Sequence, residues 1–148
     1  MKKAQIVLLS LLLLTLIVSC GQNDRKAQIA AMKLPKDSTQ FTSITWLDST
    51  DRHFGSIPEG RKLDVTFRFK NSGDKPLIIS QVRPSCGCTI AEQPDEPVLP
   101  GKEGVIRANF NSEGRVGVNN KTLFVTANTR GSESSELHFS VVVEKKKW

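Results

Sequence analysis

Residues 62–70 place an apolar side chain at every second position, and this pattern constrains the fold more than any other feature of the sequence. Leu63, Val65, Phe67 and Phe69 alternate there with charged and hydroxyl side chains. In an extended strand such a period of two gathers the apolar side chains on one face. A helix would spread the same residues around its circumference. The run therefore predicts a β-strand with one buried face and one solvated face.

Similar runs recur after residue 40, separated by turn residues. The predicted strands cover residues 43–47, 53–57, 62–70, 77–82, 104–111, 122–127 and 136–143. Glycine, proline, asparagine and aspartate cluster between them, as at residues 71–74. Six or seven short strands, with no amphipathic helix among them, predict an all-β, two-sheet sandwich over residues 41–144. An up-and-down barrel is the alternative.

The first residues belong to a different kind of segment. Two lysines precede an apolar run over residues 6–18, which is too short to span a bilayer because a helix needs about 20 residues to do so. Ser19 directly before Cys20 resembles the lipobox of bacterial lipoproteins, whose cysteine is acylated. We expect residues 1–19 to be a lipoprotein signal peptide and lipid on Cys20 to hold the chain on the membrane. The alternative is an ordinary signal peptide with a coincidental cysteine.

Polar composition follows the predicted lipid site. Residues 20–40 are read as the lipidated N-terminus and a flexible tether, and residues 145–148 as a solvated basic tail. Gly21 and Gln22 follow the predicted lipid site. An aspartate directly after the lipidated cysteine would resemble a signal for retention in the inner membrane, and this sequence has none there. We therefore expect the outer membrane, with the domain facing the periplasm.

Charge argues against one class of partner. The formal net charge of +6 falls to +4 when Lys2 and Lys3 leave with the signal peptide, and the charges that remain are mostly interspersed. No basic stripe is interleaved with aromatic side chains, so nucleic acid is not an expected partner. No cofactor is expected either.

Ser85-Cys86-Gly87-Cys88-Thr89 is the place where residues with reactive side chains cluster. Cys86 and Cys88 fit three interpretations. They form a structural turn, reduced or closed by a small disulfide, for which Gly87 would take a conformation that other residues avoid. They hold copper or zinc with further ligands from His53, His138, Met32 or a second molecule. They exchange electrons as a thiol pair. We favour the structural interpretation, and all three stay open here.

The cysteine motif belongs to a wider resemblance. The other matching segments are residues 71–77, Leu99-Pro100-Gly101, Phe54-Gly55 and Gly60. Together they resemble the domain-of-unknown-function family fifteen-seventy-three, which is common among Bacteroidetes lipoproteins, over about residues 54–143. That family is similar to the immunoglobulin-like domains of major sperm protein and Hydin. The resemblance implies an immunoglobulin-like sandwich of about seven strands that serves in interaction or assembly, and it supplies no catalytic residue.

The remaining side chains give no evidence for a catalytic site. Nothing in the sequence fixes a Ser–His–acid geometry, and the paired carboxylates lie in predicted loops. We therefore expect a non-catalytic envelope lipoprotein that binds a protein partner, with exposed edge strands as its means of binding. The alternative is a metal-binding or thiol-redox lipoprotein that uses Cys86 and Cys88.

Overall fold

The computed structural model describes residues 38–146, which form eight strands after a single 3-10 turn at Ser38–Gln40. The strands are β1 (Ile44–Trp46), β2 (Asp51–Pro58), β3 (Lys62–Asn71), β4 (Ile79–Pro84), β5 (Thr89–Glu92), β6 (Glu103–Asn111), β7 (Gly117–Ala127) and β8 (Ser134–Glu144). Within this part of the chain, no helix combines the length and the apolar content needed to cross a bilayer. The predicted signal peptide lies outside the described residues.

The strands form two four-stranded sheets, which confirms the all-β sandwich. The first sheet has the order β1-β3-β6-β5 and the second the order β2-β8-β7-β4. Every pairing is antiparallel except that of β2 with β8, which is parallel. The structure has eight strands where six or seven are expected, because the sequence pattern does not predict the four residues of β5. β7 also begins at Gly117, within a segment that was expected to be a loop.

The core lies between the sheets and is built by the alternating runs. Val65, Phe67 and Phe69 of β3 are fully buried, and Leu63 is half-buried. Phe110 and Phe139 meet across the sandwich edge-to-face, with ring centroids 6.2 Å apart. Burial of a large apolar side chain contributes about 1.5–3 kcal/mol, so the 17 apolar residues buried within residues 38–146 are the main source of this domain's stability.

The connecting loops gather at the two ends of the sandwich. The disulfide end comprises residues 59–61, 85–88 and 112–116, as the pairing of Lys62 with Asn111 requires. The asparagine end comprises residues 40–43, 72–78, 93–102 and 128–133. The isolated bridge between Thr42 and Thr129 brings the first described residues to that end.

Asn71 was expected to be a turn residue, but it is the fully buried last residue of β3. Its side-chain Nδ2 donates hydrogen bonds to the carbonyls of Lys75 (2.7 Å) and Val98 (2.8 Å). Its Oδ1 accepts from the Thr42 hydroxyl (2.9 Å) and the Gly73 N–H (3.1 Å). One amide therefore joins three separate segments at the asparagine end, where polar backbone groups would otherwise be buried without partners.

Asn128 plays a similar part at the same end. It is buried, and its Nδ2 donates to the carbonyls of Gln40 (2.9 Å) and Pro76 (3.0 Å). Its Oδ1 accepts from the N–H of Ile78 at 2.7 Å. These bonds attach the first described residues to the sandwich.

Candidate functional site

The cysteine motif forms the corner at which the chain passes from β4 in the second sheet to β5 in the first. Cys86 and Cys88 are joined by a disulfide. Cys88 is buried and Cys86 is half-buried, so one sulfur faces the core and the other lies nearer the solvent. The Thr89 hydroxyl lies 3.8 Å from the Cys86 sulfur and 4.0 Å from the Cys88 sulfur.

Ser85 fixes the other side of the corner. Its N–H donates to the Thr122 carbonyl (2.8 Å), and its hydroxyl accepts from the Thr122 N–H (3.1 Å). Gly87 is not among the glycines with a positive φ, and a Cβ placed on it would have nothing within 4 Å. The expectation that the ring needs an unusual glycine conformation is therefore wrong: the disulfide closes with Gly87 in an ordinary backbone conformation.

The histidines considered as metal ligands lie on the solvent face of the second sheet. Nδ1 of His53 is 2.6 Å from the Ser140 hydroxyl, and Nδ1 of His138 is 3.1 Å from the Thr122 hydroxyl. Within residues 38–146, no group of three or more His, Cys, Asp or Glu side chains is placed to hold a metal. Met32 and Cys20 lie outside the described residues.

The structure also brings together a Ser–His–Asp set that the sequence could not reveal. Besides its contact with Ser140, His53 has Nε2 at 4.0 Å from Asp51 Oδ1. The side chains of His53 and Asp51 are 76% and 61% exposed, and none of the three residues lines either cavity described below. Hydrated side chains on an open strand face lack the water-excluded surroundings that tune catalytic groups.

Two cavities lie on the solvent face of the first sheet, on either side of Ile90. Ile90, on the edge strand β5, is 68% exposed. The larger cavity, about 450 Å³, is bounded by Ile90 together with Asp64, Val65, Thr66, Glu92, Arg107, Ala108 and Asn109. The smaller cavity, about 260 Å³, lies at the disulfide end, bounded by Ile90 together with Lys62, Gly87, Cys88, Asn109, Asn111, Glu113 and Arg115.

Three cations toward the disulfide end have no carboxylate within 4.0 Å among the described residues. They are Lys62, Arg115 and Lys121, in contrast to Arg68 and Arg130, which pair with Asp48 and Asp74. The Lys121 amine lies 5.4 Å from the centroid of the Phe110 ring, in a cation–π contact. Burial lowers the pKa of Lys121, and the positive charge of Arg115 lowers it further.

Backbone pairing leaves one side of β5 free. The Asn111 N–H donates to the Cys88 carbonyl at 2.9 Å, so Cys88, Ile90 and Glu92 direct their backbone groups toward β6. Ala91 therefore directs its N–H and C=O away from the sheet. The N–H of Thr89, which also points away from β6, bonds to the Cys86 carbonyl at 3.3 Å.

Two four-stranded sheets with a disulfide-closed corner place the described residues in the class of immunoglobulin-like β-sandwich domains. The family described as Protein of unknown function (DUF1573) matches residues 45–143. The chain belongs to this family, which confirms the resemblance drawn from its motifs.

Solved structures agree with the fold. A protein of unknown function from Porphyromonas gingivalis W83 is 15% identical with a TM-score of 0.62, covering 72% of this chain and 49% of its own. The ASH/PapD-like domain 7 of human CEP192 is 11% identical with a TM-score of 0.50, covering 78% of this chain and 92% of its own. The secreted serine protease VesC from Vibrio cholerae is 10% identical with a TM-score of 0.53, covering 69% of this chain and 23% of its own.

These likenesses establish the fold alone. The chain spans about half the length of the Porphyromonas protein and under a quarter of the Vibrio protease. No curated protein matches the chain significantly by sequence.

Proposed function

We propose that this chain is an envelope lipoprotein whose sandwich is a non-catalytic interaction module, and that it binds an extended segment of a protein partner at the free edge of β5. The observation that carries the proposal is the exposure of Ile90 on an edge strand that has neither a register shift nor a proline. Extended segments add to such edges because the backbone groups there have no partner within the sheet.

Comparison of the four edge strands singles out β5. β1 has only three residues. β2 has a register shift between Phe54 and Ser56 and ends at Pro58, and β4 has one between Ile79 and Gln81 and ends at Pro84. Short length, bulges and proline are the devices that keep edges from pairing. β5 is short, but it has neither a register shift nor a proline.

Substitution of Ala91 tests strand addition directly. Proline at this position removes the N–H that faces away from β6, and proline is tolerated on the free side of an edge strand. Ala91→Val, which adds volume but keeps the N–H, is the matched control.

The experiment uses a photo-crosslinking amino acid in the full chain in living cells. Placed at position 90 it should yield a crosslinked protein product, whereas the same label at Leu99, which is 58% exposed at the asparagine end, should not. Ala91→Pro should abolish the product at position 90 and Ala91→Val should keep it. Equal crosslinking from both positions, or insensitivity to Ala91→Pro, would contradict the proposal.

The membrane attachment through Cys20 is tested separately. We expect the wild-type chain to incorporate radiolabelled palmitate and to sediment with outer-membrane fractions, because several buried acyl chains at about 0.8 kcal/mol per methylene hold a protein firmly. Cys20→Ala should lose both properties. Cys88→Ala is the control that should keep the label. Sedimentation of the Cys20→Ala chain with the membrane would rule out a lipid anchor at this residue.

A further inference from the structure

We infer that the segment bound beside β5 is acidic, with a carboxylate side chain that enters the smaller cavity at the disulfide end. This inference rests on the proposed function, which says where the partner binds, and adds which chemistry the site selects.

The position of the cavity links it to β5. Ile90 and Cys88, whose backbone groups pair with β6, both line it. A segment paired with β5 turns alternate side chains toward the solvent face of the first sheet, where Ile90 also points. One of those side chains thus lies next to Ile90, within reach of the cavity. At about 260 Å³ the cavity is smaller than most pockets for small-molecule ligands, and its size suits a single side chain.

The charges around the cavity favour a negatively charged side chain from the bound segment. Lys62 and Arg115 line it, and neither has a carboxylate within 4.0 Å among the described residues. The positive charge of Arg115 also lowers the pKa of Lys121, a further cation that is partly removed from water. Two cations held near each other without a counter-ion are unfavourable in the free protein, and a bound carboxylate would relieve that repulsion.

Among the described residues, Glu113 is the carboxylate that lines this cavity. A Cβ added to Gly60 would be 2.8 Å from its Oε2, and Gly60 has a φ of +84° that favours glycine. The backbone N–H of Glu113 bonds to Asn111 Oδ1 at 3.1 Å. The Glu113 carboxylate therefore lies beside the β2–β3 turn and forms no ion pair within 4.0 Å with Lys62 or Arg115.

Synthetic peptides with the purified full chain in neutral detergent micelles test the inference. Three peptides share alternating valines and differ only in the residues between them, which are glutamate, serine or lysine. We expect the glutamate peptide to bind at least about tenfold more tightly than the serine peptide, and the lysine peptide to bind more weakly than both. Arg115→Glu should weaken the glutamate peptide about tenfold, and Lys102→Glu, an exposed position at the asparagine end, less than twofold.

The remaining outcomes separate this inference from the proposed function. Equal binding of all three peptides, lost in Ala91→Pro, would overturn the acidic partner and leave strand addition intact. No peptide binding, with site-specific crosslinking at position 90 in cells, would likewise overturn only the acidic partner. Binding of phosphatidylglycerol vesicles that depends on Arg115, without binding of the glutamate peptide, would assign the cations to a lipid surface and overturn the inference. Loss of both peptide binding and crosslinking would overturn both proposals.

Discussion

Replacement of Asn71 by alanine should be among the most destabilising single substitutions in this chain. The side-chain amide is fully buried and makes four hydrogen bonds. The Thr42 hydroxyl is buried and would lose its acceptor, whereas the Val98 carbonyl would keep its bond from the Leu77 N–H (2.9 Å). A buried polar group left without a partner costs about 1–3 kcal/mol, so Asn71→Ala should cost at least about that much. A domain of this size has a total stability of about 5–15 kcal/mol.

Urea unfolding of the full chain in detergent micelles, followed by tryptophan fluorescence, measures this loss. Trp46 reports on the same region, because its ring packs edge-to-face on Phe69 at 5.8 Å. Asn120→Ala, at an exposed position on β7, is the matched control and should change the free energy of unfolding by less than about 0.5 kcal/mol. A cost below about 1 kcal/mol for Asn71→Ala would refute the view that its amide holds the asparagine end together.

Three further perturbations have calculable outcomes. Reduction of the disulfide should lower the free energy of unfolding by only about 1.6 kcal/mol, because the loop that it closes is three residues long. Thermal unfolding in a phosphine reductant should therefore stay cooperative, and loss of the transition would contradict this expectation. Gly104→Ala would place its Cβ 2.4 Å from a ring carbon of Phe69 and should cost about 1–3 kcal/mol, whereas Gly87→Ala meets open space and should be nearly neutral in the same melts. Hydrogen bonds from Arg68 lower the pKa of Asp48 below its ordinary value of 3.8. The ionised carboxylate therefore stabilises the fold above pH 3.8, and this stabilisation is lost as the pH falls through the folded-state pKa. Asp48→Asn should therefore lower Tm more at neutral pH than in acid, and an equal loss at both would argue against the ion pair.

Strand positions were predictable where side chains alternate strictly, because the period alone decides which face is buried. The inward residues expected in β6, β7 and β8 are all buried, from Ile106 to Val143. β5 escaped prediction for a physical reason. The large apolar residue of β5, Ile90, lies on the solvent face and is exposed. Thr89 lies on the inward face and is buried although it is polar. The pattern there is the reverse of that of an ordinary half-buried strand.

Contacts between residues far apart in the sequence could not be predicted from local patterns. Nothing in the sequence around Asn71 shows that its partners come from the segments of Thr42 and Val98, 29 and 27 residues away. The cations without a nearby carboxylate are a second example, since Lys62 and Arg115 line one cavity only because β3 and β6 lie side by side. Their residue types are ordinary in sequence, and only the lack of a nearby carboxylate in the folded chain sets them apart.

The bonds of Asn128 and the binding site proposed at β5 lie toward opposite ends of the sandwich. Asn128 holds the carbonyl of Gln40 at the asparagine end, and the nine residues of β6 separate that end from the disulfide end by about 30 Å. Binding at β5 then leaves the bonds of Asn128 undisturbed, and substitutions at the two ends should act independently. A double variant that combines Arg115→Glu with Asn128→Ala should thus show additive changes, with peptide affinity set by Arg115 and the free energy of unfolding set by Asn128.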